Sequence, residues 1–353
     1  MKSGFLAEER ETYVLGALRV GFALLLLGQT AKRALELTRA GYFGDVFHVP
    51  LLPESLVPSA TTYGVLLGFA MLGCVLSALG VLARPALLGA AAIGLYCFFC
   101  DRVQYHNNRY QLLLLSALVA MTPCDRSFLV GRAARVGPGP RWALRLVAAQ
   151  VSLVYLASGL GKLLDPDWRG GTVLLLRFAM GRERVAAFAP AAVVELLSAP
   201  WFATAASAAA ISTELFLALG LWFPRTRVVA LWLGVMFHFF IEVGARVELF
   251  SATMLVGYVA FVRPEVRERT LGWDTARPLG RRLFQLFSRL DVLARFDHGA
   301  CAGALLVARD RDGHEHRGLA AWRELARAMP PLFPLWLPLA LLTARRRTSA
   351  PQP

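Results

Sequence analysis

Four groups of polar residues interrupt long apolar stretches, and their types could do acid–base chemistry. The first is Tyr105-His106-Asn107-Asn108-Arg109-Tyr110, a dense set of hydrogen-bonding side chains between two apolar runs. It reads either as a polar turn at a membrane surface or as one wall of a substrate cavity. The second is Lys162, at the end of the small-residue run Ala157-Ser158-Gly159-Leu160-Gly161. Small residues let a neighbouring helix or a ligand approach closely. A lysine held away from water is a usable base. One that snorkels to headgroups, or pairs with Asp165, is not. The third and fourth are Glu214 in Thr213-Glu214-Leu215 and His238 in Phe237-His238-Phe239. Each could relay protons or bind a polar ligand. Equally, they could pair with each other or with Arg19 as structural glue.

The elements that must carry these groups are membrane helices. The chain has 353 residues, of which 56% are hydrophobic and 18% charged, and its mean hydropathy is +0.51. Soluble domains carry about 25% charged residues. The charges here crowd into loops and the last ninety or so residues, because a charge at mid-bilayer costs about 2.5–3.5 kcal/mol. Apolar runs near 13–30, 62–83, 86–104, 110–122, 142–161, 201–222, 228–244 and 248–262 predict an all-α polytopic membrane protein with about eight transmembrane helices. Outside these runs, Val173–Arg182 and the apolar piece around Ala186–Leu197 are expected to lie at the interface.

Basic loops carrying Arg84, Arg126, Arg132, Arg135, Arg141, Arg225 and Arg227 fall on one side. Both termini are therefore expected in the cytoplasm, with the chain in a bacterial cytoplasmic membrane. No cleaved signal peptide is expected. The net charge of +14 reads as orienting charge that meets anionic lipid, not as a nucleic-acid footprint, because no groove-reading motif accompanies it. Residues 106–110 and Lys162 lie on odd-numbered connections, so they share a membrane face and can line one cavity.

Cys97 and Cys100 form a CxxC inside an apolar helix, where two packing thiols are expected in place of a redox or metal pair. No metal site is predicted. The chain is divided at about 265. Residues 266–353 are read as a small basic α+β tail, with a helix at Leu283–Leu293 and strands at Leu305–Ala308 and His314–Arg317 joined through Asp312-Gly313. A further helix is expected at Leu319–Ala328, then an apolar, proline-interrupted segment at Pro330–Thr343.

Several of these segments resemble a known family. They are Asn107-Asn108-Arg109-Tyr110, Tyr155–Lys162 with Asp167-Trp168-Arg169-Gly170, Thr213-Glu214-Leu215 leading to Phe223-Pro224-Arg225, and Phe237-His238. Together they resemble the HTTM (horizontally transferred transmembrane) domain family, which includes the membrane part of vitamin K-dependent gamma-glutamyl carboxylase. The resemblance implies a carboxylase- or epoxidase-like lyase with a reduced, vitamin K-like quinone as cofactor. It implies Lys162 as base, with His106, Asn107 and Asn108 polarising an oxygen. Tyr110, Trp168, Glu214 and His238 would then bind substrate. Asn108 stands where the carboxylase has a histidine. The partners implied are membrane lipids and a lipid-soluble small molecule. The alternative is a non-catalytic scaffold that binds lipid or a protein partner. The tail, through Arg289-Leu290-Asp291-Val292-Leu293 and Asp310-Arg311-Asp312-Gly313, resembles a degenerate DCC thiol–disulfide oxidoreductase-like region.

Overall fold

The computed structural model describes residues 9–11, 13–40, 49–101, 106–129, 138–244, 247, 249–262, 269–291 and 295–348. The chain divides into two compact units, Met1–Val262 and Arg263–Pro353.

The first unit is helical. Its helices are α1 (Tyr13–Ala40), α2 (Ala60–Leu79), α3 (Ala83–Phe99), α4 (Asn107–Ala120), α5 (Arg141–Leu164), α6 (Pro166–Arg169), α7 (Thr172–Ala186), α8 (Ala191–Ser198), α9 (Pro200–Gly220), α10 (Arg227–Gly244) and α11 (Phe250–Gly257). A 3-10 turn, Tyr258–Phe261, continues α11. Local chemistry sets the ends. Ser59 caps α2 by accepting the Thr62 N–H, and Gly80 ends that helix in the left-handed conformation, where a side chain is disfavoured. Pro200 sits in the first turn of α9, where its missing N–H costs nothing.

Among the described residues, four helices are long and apolar enough to cross a membrane: Tyr13–Leu37, Ala60–Leu79, Arg141–Leu164 and Pro200–Gly220. The apolar runs at α3 and α4 gave shorter helices, of 17 and 14 residues. At about 1.5 Å per residue the latter falls short of a hydrocarbon core about 30 Å thick. The outward faces are what a bilayer requires. Only 28% of the most apolar window of α2 is buried within the protein, and Val65, Phe69 and Leu72 project outward from it. A soluble protein does not expose such a surface.

Helices α1 to α4 pack in sequence, with α4 returning to α1. Helix α9 packs against α5 and α10, while α11 and its 3-10 extension touch α1, α5 and α10. One continuous core, including Leu18, Phe22, Leu115, Val151 and Leu217, runs through them. A short antiparallel pair, β1 (Glu9–Glu11) with β2 (Pro138–Pro140), ties the segment before α1 to the segment before α5.

The second unit is a four-stranded mixed sheet with two helices packed on its core. Strand β3 (Arg269–Trp273) lies parallel to β4 (Phe296–Ala300), joined by α12 (Pro278–Leu290). Strand β5 (Leu306–Arg309) runs antiparallel to β3, and β6 (Glu315–Arg317) antiparallel to β5, giving the order β4-β3-β5-β6. Helices α13 (Leu319–Ala328) and α14 (Trp336–Thr348) follow. Trp273 stacks on Phe287, 5.3 Å between ring centroids, within a core that includes Leu271, Leu306 and Leu325. The hairpin at Asp312-Gly313 is present, as Gly313 supplies the positive φ of the turn. Strands β3 and β4 were not anticipated.

Candidate functional site

Helix α5 carries Tyr155, Ser158 and Lys162 at spacings of three and four, so they stack along one face. That face meets α9 at Gly159. A Cβ at Gly159 would lie 2.9 Å from the Leu215 side chain and 3.3 Å from the Glu214 Cβ. The glycine therefore lets the helices close where Lys162 meets Glu214. Lys162 Nζ donates to both carboxylate oxygens of Glu214, at 2.8 and 2.7 Å, and to Ser158 Oγ at 2.5 Å. Ser158 Oγ donates in turn to Glu214 Oε1 at 3.2 Å. The two charged side chains are 17% and 2% exposed. Neither expected alternative for Lys162 holds. It reaches inward to Glu214, and Asp165 caps α6 by accepting the Asp167 N–H.

Trp168 lies over the ammonium, its ring centroid 5.0 Å from Nζ, the geometry of a cation–π contact. Two α9 side chains hold the tryptophan's turn in place. Ser207 Oγ donates to the Trp168 carbonyl, and Thr204 Oγ1 donates to the Gly170 carbonyl at 2.8 Å. Gly171 completes the clamp. Its φ is +82°, and a Cβ there would fall 2.5 Å from the Thr204 backbone nitrogen.

The ion pair forms part of the wall of a cavity of about 510 Å³. Asn107, Asn108, Tyr110 and Gln111 of α4 form another part, and Leu114, Val154 and Phe237 make the wall largely apolar. Gln111 is held by a contact from its side-chain amide to Met254 sulfur, 2.9 Å. Of the residues singled out in the sequence, Asn107, Asn108, Tyr110, Lys162, Trp168 and Glu214 line this cavity.

His106 and His238 do not line it. His106 is the exposed N-cap of α4, its Nδ1 accepting the Asn108 N–H at 3.3 Å. His238 lies behind the cavity, its Nε2 2.6 Å from the Tyr155 hydroxyl. The same hydroxyl bonds to Tyr258, and all three residues are buried. Glu214 thus pairs with Lys162 and His238 with Tyr155, while Arg19 donates to the Phe128 carbonyl at 2.7 Å. Ser158, Tyr155, Tyr258 and Gln111 were missed as members of the site. The spacing of Tyr155 and Ser158 ahead of Lys162 was the signal available for two of them.

Elsewhere, the cysteines at 97 and 100 are buried free thiols. Among the described residues, the group with metal-ligand spacing is Asp310, Asp312 and His314 of the β5–β6 turn. There Asp310 already accepts the N–H groups of Asp312 and His314 and bonds His316 Nε2 at 2.9 Å.

Long apolar helices with outward apolar faces, and an ion pair turned inward to a cavity, define an integral membrane protein. The model of the HTTM domain matches residues 8–265, and the chain belongs to the HTTM domain family. No curated protein and no solved structure matches it.

Proposed function

We propose that the chain is a membrane enzyme acting on a lipid-soluble, quinone-like substrate, with the Lys162–Glu214 pair as its proton-handling centre. The observation that carries this is a lysine–glutamate pair on the wall of a mainly apolar cavity between helices. About 510 Å³ lies within the range of small-molecule sites, roughly 300–1,000 Å³. The lining fits a bicyclic quinone: apolar side chains for the rings, and the Asn107 and Asn108 amides to donate to an oxygen.

A reduced quinone supplies an acidic hydroxyl and the reducing power of a carboxylase- or epoxidase-like reaction. The protein's part is proton transfer. Moving one proton from Lys162 Nζ to a Glu214 oxygen across 2.7 Å leaves a neutral amine. That amine takes a hydroxyl proton and becomes ammonium again, with the first proton held on Glu214. Ser158 keeps the amine aligned, and Trp168 covers it. His106 acts indirectly here, by starting α4 so that Asn107 and Asn108 face the cavity.

The remaining apolar helices complete eight spans in this reading, with both termini in the cytoplasm of a bacterial cell. The β1–β2 pairing supports it, since it joins the amino-terminal segment to the arginine-rich connection before α5. The tail is read as a degenerate DCC-like region. Its parallel βαβ unit, followed by an antiparallel hairpin and a helix, has the layout of thioredoxin-like folds. The turn entering α12 reads Asp274-Thr275-Ala276-Arg277-Pro278, with no thiol to run disulfide exchange.

The test is lipid extraction and mass spectrometry of the detergent-purified protein beside Lys162→Ala. A stoichiometric quinone or isoprenoid in the native protein, depleted in the variant, supports the proposal. No specific lipid in either moves the reading to a non-catalytic scaffold in which the ion pair is structural.

A further inference from the structure

Of the 38 basic residues in the chain, three are lysines (Lys2, Lys32 and Lys162) and the other 35 are arginines. Arginine keeps its charge under all ordinary conditions, whereas lysine can shed its proton and expose a nitrogen lone pair. A lysine therefore stands on the cavity wall, with Arg177 on the same wall, in a chain that meets nearly all its need for positive charge with arginine. Three features around Lys162 bear on its use as a nucleophile. A carboxylate 2.7 Å away can take the proton, a hydroxyl at 2.5 Å fixes the direction of the nitrogen, and the cavity beyond is largely apolar, with Asn107, Asn108, Gln150 and Arg177 among its polar lining.

We infer that Lys162 forms an imine with a lipid-soluble aldehyde or ketone, with Glu214 as counterion. This goes beyond the proton-transfer reading, sharing with it the cavity, the ion pair and the first proton transfer, but not the quinone substrate. Glu214 first accepts one proton from the Lys162 ammonium. The free Nζ then adds to the carbonyl carbon, the C=O π pair moves to oxygen, and a proton passes from the nitrogen to that oxygen, giving a carbinolamine with a new C–N bond. Glu214 returns its proton to the carbinolamine hydroxyl, the C–O bond breaks, water leaves, and the nitrogen lone pair closes the C=N bond. The sum is ammonium plus carbonyl giving protonated imine plus water, with no oxidant or reductant. One positive and one negative charge face each other before and after, so the site that holds the ion pair also holds the product. Trp168, 5.0 Å from Nζ, is placed to face either cation. The ligand class is an apolar carbonyl compound small enough for about 510 Å³.

The test treats the full-length protein in detergent with 2-naphthaldehyde, traps imines with sodium cyanoborohydride, and maps the adducts by peptide mass spectrometry. Lys32 is the internal reference, with its side chain 48% exposed against 17% for Lys162. The expected result is labelling of Lys162 at least tenfold faster than Lys32. An excess of 2-naphthalenemethanol, which lacks the carbonyl, should slow Lys162 alone. Glu214→Gln should slow Lys162 at least tenfold and leave Lys32 unchanged. Labelling of Lys32 as fast as Lys162 in the native protein overturns the inference, and that arm needs no variant to fold. So does a folded Glu214→Gln protein that labels like the native one. A protein that retains a quinone yet shows no selectivity sinks the imine and leaves the proton-transfer reading standing. Selective labelling with no bound quinone does the reverse.

Discussion

Removing one member of the Lys162–Glu214 pair should cost far more than removing both. Glu214 is 2% exposed. With Lys162→Met it keeps only the weak Ser158 hydrogen bond, at 3.2 Å. Breaking a buried pair by deleting one partner costs about 3–5 kcal/mol, while replacing both by apolar residues of similar volume is close to neutral. Lys162 is the more accessible partner, so Glu214→Leu should cost less, about 2–3 kcal/mol. The double variant should return to within about 1 kcal/mol of the native protein, making the coupling about 4 kcal/mol or more. At roughly 2 °C per kcal/mol for a chain of this size, the single variants should unfold several degrees early. The buried thiols Cys74, Cys97, Cys100 and Cys124 report unfolding directly, as they react with a fluorogenic maleimide only when exposed. Cys301 is replaced by serine to remove its background. Additive single effects, or a double variant as unstable as the worse single, would refute the reasoning. The pair would then be solvated through its cavity, and neither charge would be holding the other in place.

Three further outcomes follow from the same geometry. Gly171→Ala, forced to a φ of +82° and into the Thr204 backbone, should lose about 2–4 kcal/mol. Gly161→Ala meets nothing within 4 Å in the last turn of α5 and should gain up to about 1 kcal/mol; the same thiol assay reads both. Tyr155→Phe strips hydrogen bonds from His238 and Tyr258 at once. It should therefore cost about 1–3 kcal/mol, and more than Tyr258→Phe, in thermal unfolding. In the tail, burial opposes ionisation of Asp310, but the His316 ring and two backbone N–H groups hold its carboxyl down at about 2. Asp291 is likewise held low against burial, by His298 and the N–H groups of Arg295 and Phe296. A depressed folded-state value stabilises in full above the unfolded carboxyl's value, near 3.9, and that stabilisation is lost as pH falls from there through the folded value. Hydrogen-exchange protection of 295–300 and 310–317, corrected for intrinsic rates, should stay level down to about pH 5 and fall between about pH 4 and 2. A fall beginning near neutrality would contradict this.

The helical character and most helix positions of the first unit were legible because a bilayer leaves a coarse signal. Apolar runs, arginine-bearing connections and glycine or proline ends locate helices without reference to their neighbours. The cavity's residue types were legible for the same reason, since a polar group is conspicuous among leucines. The partners were not. Lys162 and Glu214 lie 52 residues apart, and nothing local in either segment says that the glutamate finds the lysine instead of His238 or Arg19. In the tail, β5 and β6 were announced by their turn. Strands β3 and β4 read Arg-Thr-Leu-Gly-Trp and Phe-Asp-His-Gly-Ala; each contains a glycine and too few β-branched residues to signal a strand.

The pairing has a logic that runs from α5 outward. A lysine at the end of a membrane helix can reach the headgroups at little cost, and Lys162 has the length to do so. It turns inward because Glu214 offers two acceptors and Ser158 a third, and Gly159 brings the helices close enough for all three to be met. Tyr155, Ser158 and Lys162 then divide one helix face by depth. The tyrosine is locked in a buried network with His238 and Tyr258, the serine joins both charges, and the lysine meets the cavity. A lysine serving only to anchor α5 would need none of the last three features, neither the glycine, the serine, nor the tryptophan turn clamped to α9. Their convergence on one amine is what supports the proposed role for Lys162 at the cavity, and on that proposal an arginine at 162, though equally cationic, should fail to replace it.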